Sequence, residues 1–171
     1  FVIDPEFSFV GPMGFDIGAL IANLYLNYFS HAHNSSAESV NYSQWLLQTI
    51  DDLWYKFEGK FLLLWAEHEQ SAQSAFMGKD LTGDSHQTFR HIFLQQVFSD
   101  TLGFAACKII RRILGVAKVA DFMQFDDQKL RAKLETQALK MATTMLLNRH
   151  VYTNIADVNK LAESVSSDTL K

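Results

Sequence analysis

Hydrophobic positions along this chain change their period once, within the first fifteen residues. FVID, at 1–4, is a short apolar run rich in Phe, Val and Ile, and it predicts a strand. PEFSFVGPMG holds both prolines of the chain and two of its glycines, which predicts a loop. From there the pattern is helical. FDIGALIANLYLNYFS sets Ile17, Leu20, Ile21, Leu24 and Tyr28 on one face. HAHNSSAESV is a polar break centred on Asn34, Ser35 and Ser36. NYSQWLLQTIDDLWYKFEGKFLLLWAEHEQ predicts a long helix, capped at Asn41 or Ser43. Its stripe runs Leu46, Ile50, Leu53, Phe57, Phe61 and Leu64, and Gly59 marks a kink site.

FMGKDLTGDS is loop-like, and HQTFRHIFLQQVFSDTLGFAACKIIRRILG predicts a second long helix closed by Gly115. Phe93, Val97, Phe104, Cys107 and Leu114 form its expected buried stripe. After the short segment VAKVADFM comes a helix from about Asp127 to His150. A last helix begins near Thr153, with Asp157 early in it, and the tail SVSSDTLK is expected to fray. No internal repeat is visible. The expected class is therefore mainly α, with a short β segment at the N-terminus.

A lone strand cannot satisfy its own backbone groups, and nothing later in the chain reads as a partner for FVID. The residue before a proline is pushed away from helical angles, so a helix is not the alternative for VIDP. The opening reads as cut from a larger fold. Composition narrows the classes. The 171 residues suit one domain, 1–171, with a real core. Apolar residues make up 48% and 14 Phe are present, which excludes general disorder. A net charge of −4 offers no electrostatic basis for nucleic acid or an anionic membrane as partner. The single cysteine, Cys107, excludes an internal disulfide, and its stripe position reads as core. No apolar run approaches the ~18 residues of a spanning helix, and no signal-peptide pattern is present. A soluble, cytoplasmic protein is the expectation.

Candidate chemistry begins with VIDPEF. In extended chain, Asp4 and Glu6 point to the same side. Two adjacent carboxylates repel unless a cation sits between them, so Mg²⁺ or Mn²⁺ is a natural third party. The plainer reading is that they end a strand and begin a turn. A strand, an acid pair, a Gly-Pro loop and a helix entered through FD follow the layout beyond the catalytic loop of kinase-like phosphotransferases. Asp16 in that helix start is either a simple N-cap or a brace for the catalytic loop.

VIDPEFSFVGPMGFDIGALIANL closely resembles the 5-methylthioribose kinases, of the aminoglycoside-phosphotransferase and choline-kinase group. The Asp-x-Glu form is characteristic of that family. A second stretch, SDTLGFAACKIIRRILGVAKVADF, resembles the family's twin-arginine segment, in which adjacent arginines contact the substrate and the transferred phosphoryl group. The resemblance runs over about 1–159. It implies the helical C-terminal lobe of a protein-kinase-like fold, with the nucleotide lobe and catalytic loop upstream of Phe1. It also implies ATP as co-substrate, Asp4 and Glu6 as Mg²⁺ ligands, Asp16 as a brace, and Arg111 and Arg112 as substrate contacts. The implied reaction phosphorylates the anomeric hydroxyl of 5-methylthioribose in methionine salvage, with the general base outside this chain and a homodimer as the assembly. This chain alone would then be inactive.

From the residues themselves, Arg111 falls on the expected apolar stripe, where an arginine is costly unless something anionic meets it. A core salt bridge is the alternative. Arg112, about 100° further round, reads as more exposed. His31 and His33, and His86 and His91, lack metal-site spacing and read as solvated. Trp45, Trp54 and Trp65 suit packing along one helix, and the apolar run 61–65 is buried or faces a partner. Two alternatives stay open: a kinase of the same fold acting on choline, homoserine or an aminoglycoside, and a helical interaction domain without catalysis.

Overall fold

The fold is that of a computed structural model, which describes residues 9–69 and 83–168. Six helices follow in order, α1 (Gly14–His31), α2 (Ala37–Glu69), α3 (Gly83–Leu114), α4 (Ala120–Met123), α5 (Gln128–Asn148) and α6 (Ile155–Ser167). The described residues hold no strand. The expected strand, 1–4, lies outside them, as does most of the expected loop 76–85.

Helix α1 is the centre of the packing, with Ile21, Ala22, Tyr25, Leu26 and Phe29 inaccessible to solvent. It lies along α3 and runs the same way. A Cβ on Gly14 would meet the Thr101 nitrogen at 2.6 Å, and one on Gly18 the Thr101 carbonyl at 2.5 Å and the Ala105 nitrogen at 3.0 Å. Two glycines facing Thr101, Ala105 and Ala106 bring the backbones closer than larger side chains permit, since side-chain size at the contact sets the interaxial distance. Helix α2 adds Leu46, Ile50 and Trp54 to this core, and α5 adds Leu134, Ala138, Met141 and Met145.

The breaks between helices follow local chemistry. The Ser36 hydroxyl accepts from the Ser39 amide at 3.3 Å and starts α2 at Ala37, four residues ahead of the expected Asn41. Asp127 caps α5 by accepting from the amides of Lys129 and Leu130, and Asn154 caps α6 by accepting from that of Asp157. The tail SVSSDTLK does not fray at its start: α6 continues to Ser167. Val165 is buried, the Tyr28 and Ser166 hydroxyls share a 3.0 Å hydrogen bond, and Gln137 Nε2 donates to the Val165, Ser166 and Asp168 carbonyls.

Several expected faces are corrected. Leu20 is 48% exposed and Leu64 53% exposed, so each marks the edge of its stripe. Helix α2 runs unbroken through Gly59. His31 closes α1 half-buried, with Nδ1 donating to the Asn27 carbonyl at 3.0 Å and its ring edge-on to Tyr42. Trp54 is buried against Phe98, whereas Trp45 is mostly exposed. Phe61 and Trp65 meet Phe93 and Phe89 of α3 in an aromatic ladder, and Leu63, Leu64 and Ile92 face outward beside it.

Candidate functional site

The largest correction concerns α3. Its buried face runs Leu94, Val97, Phe98, Thr101, Leu102, Ala105, Ala106, Ile109 and Ile113. At 100° per residue, Cys107 and Arg111 both lie about 160° from Ile109. Both are exposed, and so is Leu114. Arg111 is therefore not on a buried stripe and needs no core carboxylate. Arg112, about 60° from Ile109, is the half-buried member of the pair. The expected order of burial is reversed.

The turn after α3 fixes Arg112. Gly115 N–H returns to the Arg111 carbonyl at 2.9 Å, where a Cβ would meet that oxygen at 2.4 Å. The chain then folds back so that Arg112 Nη1 donates to the Ala117 carbonyl at 3.3 Å. Lys118 Nζ donates to the Ile113 carbonyl. The Arg112 Nε is buried and has no hydrogen-bond partner. Among the described residues, neither arginine pairs with a carboxylate within 4 Å. The C-terminal end of a helix carries partial negative charge, which favours cations there, but it offsets only part of two full charges.

Lys108, one turn earlier at i−3 and i−4 from the arginines, escaped the reading of the sequence as a site residue. It is half-buried on the same side of α3. Burial, reinforced by Arg112 and then Arg111, holds its ammonium below the ordinary lysine range. The signal was available in the spacing K-x-x-R-R, which stacks three cations on one side of a helix.

Asp16 occupies the first turn of α1, exposed, and is not the N-cap; that position belongs to Met13, whose side chain makes no cap bond. An acid in a first turn is favoured by the helix dipole. The start of α1 meets α3 at Thr101, ten residues before Arg111 and so ~15 Å away along the axis. The structure does not bring Asp16 beside the arginines. Asp4 and Glu6 lie outside the described residues. Among the described residues, no three His, Cys, Asp or Glu side chains gather as a metal site, and no helix is long and apolar enough to cross a membrane.

On the far side of the molecule, α2 and α6 flank a cavity of about 220 Å³ lined by Gln44, Gln48, Asp51, Asn159, Lys160 and Glu163. Asn159 donates from Nδ2 to Asp51 Oδ1 at 2.8 Å and to the Leu47 carbonyl at 3.0 Å. Burial, then the Asp52 charge, raises the Asp51 carboxyl above its usual range against the opposing Asn159 bond, and Glu163 raises it further.

Among proteins of known activity, those this chain resembles are kinases, and the described all-helical architecture fits the helical lobe of a kinase-like fold. By name they are methylthioribose kinases. Methylthioribose kinase 2 of Oryza sativa subsp. japonica is 38% identical over 171 residues, covering 98% of this chain and 40% of its own length. Methylthioribose kinase of Escherichia coli O45:K1 is 35% identical over 164 residues, 95% of this chain and 39% of its own. That of Geobacillus sp. (strain WCH70) is 33% identical over 171 residues, 98% and 38% respectively. Curated homologues covering this chain are thus methylthioribose kinases of plants and bacteria. The chain spans about 40% of the length of these relatives. No protein-family model matches it.

Proposed function

We propose that this chain is the C-terminal helical portion of a methylthioribose kinase, a cytoplasmic enzyme of methionine salvage. The supporting observation is the alignment of 98% of the chain, at 38% identity, with methylthioribose kinase 2 of Oryza sativa subsp. japonica. In this reading the γ-phosphoryl group of ATP passes to the anomeric hydroxyl of 5-methylthioribose. The bond from phosphorus to the ADP oxygen breaks, a bond to the sugar oxygen forms, and the hydroxyl proton leaves to a base outside this chain. Arg111 and Arg112 hold the migrating group, since planar guanidinium forks match phosphoryl oxygens and gain strength as charge develops there. Arg112 is positioned for this by its bond to Ala117, while the exposed Arg111 is free to reach a ligand.

Asp4 and Glu6 supply the hard oxygen donors that suit Mg²⁺ or Mn²⁺, which when bound neutralises charge on the phosphates. Asp16, with no side-chain hydrogen bond of its own to occupy it, braces the catalytic loop. The apolar surface of Leu63, Leu64 and Ile92 suits a second copy in a homodimer. The chain alone is expected to be inactive.

The test is substitution in the intact enzyme. Asp4→Ala and Glu6→Ala should each lower turnover about 100-fold or more at saturating Mg²⁺. Near-normal turnover in both overturns the metal assignment.

A further inference from the structure

We propose that Lys108 is a third member of the arginine site, so that Lys108, Arg111 and Arg112 form one three-cation cradle for a phosphoryl dianion. The inference rests on the reading of the arginines as phosphoryl contacts and adds a residue to it. Three observations carry it. First, at 100° per residue Lys108 lies about 60° from Arg111 and about 40° from Arg112, one turn nearer the start of α3. All three side chains therefore share an arc of about 100°. Second, Lys108 has neither a hydrogen bond nor an ion pair, although it is half-buried, and no carboxylate lies within 4 Å of any of the three among the described residues. Third, the Arg112 Nε is a buried donor without an acceptor.

Like charges three and four residues apart on a helix destabilise it. Desolvating one of them adds to that cost. Such an arrangement without a counter-charge is what an anion site presents when empty of its anion. The neighbouring Lys118 differs: its ammonium is spent on the Ile113 carbonyl, which anchors the turn. The division of labour follows from side-chain chemistry. The two forks grip pairs of oxygens, and the lysine supplies a compact charge with rotatable donors to a third oxygen. A phosphoryl group, with three free oxygens, is the matching ligand, whether borne by the sugar or by the nucleotide.

The experiment titrates this chain with inorganic phosphate at constant ionic strength, following backbone amide shifts around Gly115 and thermal melting in parallel. Arms with ribose 1-phosphate and with ATP distinguish a sugar-borne from a nucleotide-borne group. Lys108→Gln should weaken phosphate binding about tenfold, the effect of losing one charge-assisted contact. Lys108→Arg should restore most of it. Without phosphate, Lys108→Gln should melt at or above the parent temperature, because repulsion is relieved. Weakening of either arm by Lys108→Gln supports the cradle; weakening of neither overturns it. A Lys108→Gln chain that melts early without phosphate marks a structural lysine and also overturns it. If Arg111→Gln and Arg112→Gln lose phosphate while Lys108→Gln keeps it, the inference fails and the arginine reading stands. If all three bind like the parent, both fail. If the parent shows no saturable binding, the cradle is overturned, and turnover of the arginine variants in the intact enzyme still judges the arginine reading.

Discussion

The Tyr25 hydroxyl donates a 2.7 Å hydrogen bond to Asn159 Oδ1, joining α1 to α6 across 134 residues of sequence. Asn159 in turn donates to the Leu47 carbonyl and to Asp51, so one carboxamide ties three helices together. Tyr25 is wholly buried, and burial above all, then the Asp51 charge, keeps its phenol protonated as a donor.

Because every one of these bonds lies at or near the core, deleting the carboxamide strands its partners. Asn159→Leu should cost about 2–4 kcal/mol, and Tyr25→Phe about 1–2 kcal/mol. Denaturant titration of each variant checks this. Loss below about 0.5 kcal/mol for Asn159→Leu would show that the network is not stabilising.

Asp51 gives the fold a pH dependence of defined sign. Its folded pKa is raised, so the folded chain holds that proton more tightly than the unfolded one. The associated stability is present below the ordinary aspartate pKa and is lost as pH rises through the raised value. Asp51→Asn keeps an acceptor for Asn159 and removes the charge facing Asp52 and Glu163. It should melt above the parent at neutral pH, and the advantage should vanish on acidification. Melting curves from about pH 7 to about pH 4 read this directly, and an advantage that grows on acidification contradicts it.

Two glycines predict opposite outcomes. A Cβ on Gly18 would meet the Thr101 carbonyl at 2.5 Å, whereas one on Gly59 meets nothing within 4 Å. Gly18→Ala should destabilise by about 1–3 kcal/mol through parting of α1 and α3. Gly59→Ala, in an exposed helix interior, should stabilise by about 0.5–1 kcal/mol. Equal melting shifts of the same sign would contradict the close packing of α1 on α3.

The same close packing explains what the sequence concealed. Helix positions were legible because Asn34–Ser36, Gly115 and the polar stretch before Asp127 interrupt apolar periodicity, and α1, α3 and α5 fall close to expectation. The buried face of α3 was not. Thr101, Ala105 and Ala106 are weak hydrophobes, buried because Gly14 and Gly18 lie against that face. Counting large apolar residues favoured Phe104, Cys107 and Leu114 on the other side. The arginine pair was thus found in the right segment with its burial inverted. The Tyr25–Asn159 bond left no sequence trace, because polar residues 134 positions apart carry no periodic signal.

The inverted burial yields its own prediction. Arg112 has a packed stem and a bond to Ala117, so Arg112→Ala should cost about 1 kcal/mol of stability. Arg111→Ala, at an exposed position, should melt like the parent. In the intact enzyme both should lose at least about tenfold in kcat/KM. If Arg111→Ala unfolds early and Arg112→Ala does not, the placement of α3 is wrong.

The most direct test of the kinase reading is product formation by the intact protein with Mg²⁺, ATP and 5-methylthioribose, followed by phosphorus NMR. Choline, homoserine and an aminoglycoside serve as competing acceptors. The account predicts a phosphoryl group on the anomeric oxygen of methylthioribose, with kcat/KM for that sugar at least about 100-fold above the other acceptors, the scale that pocket contacts to a substrate provide. Preferential phosphorylation of another acceptor, or no transfer to methylthioribose by folded protein that binds ATP, would contradict it.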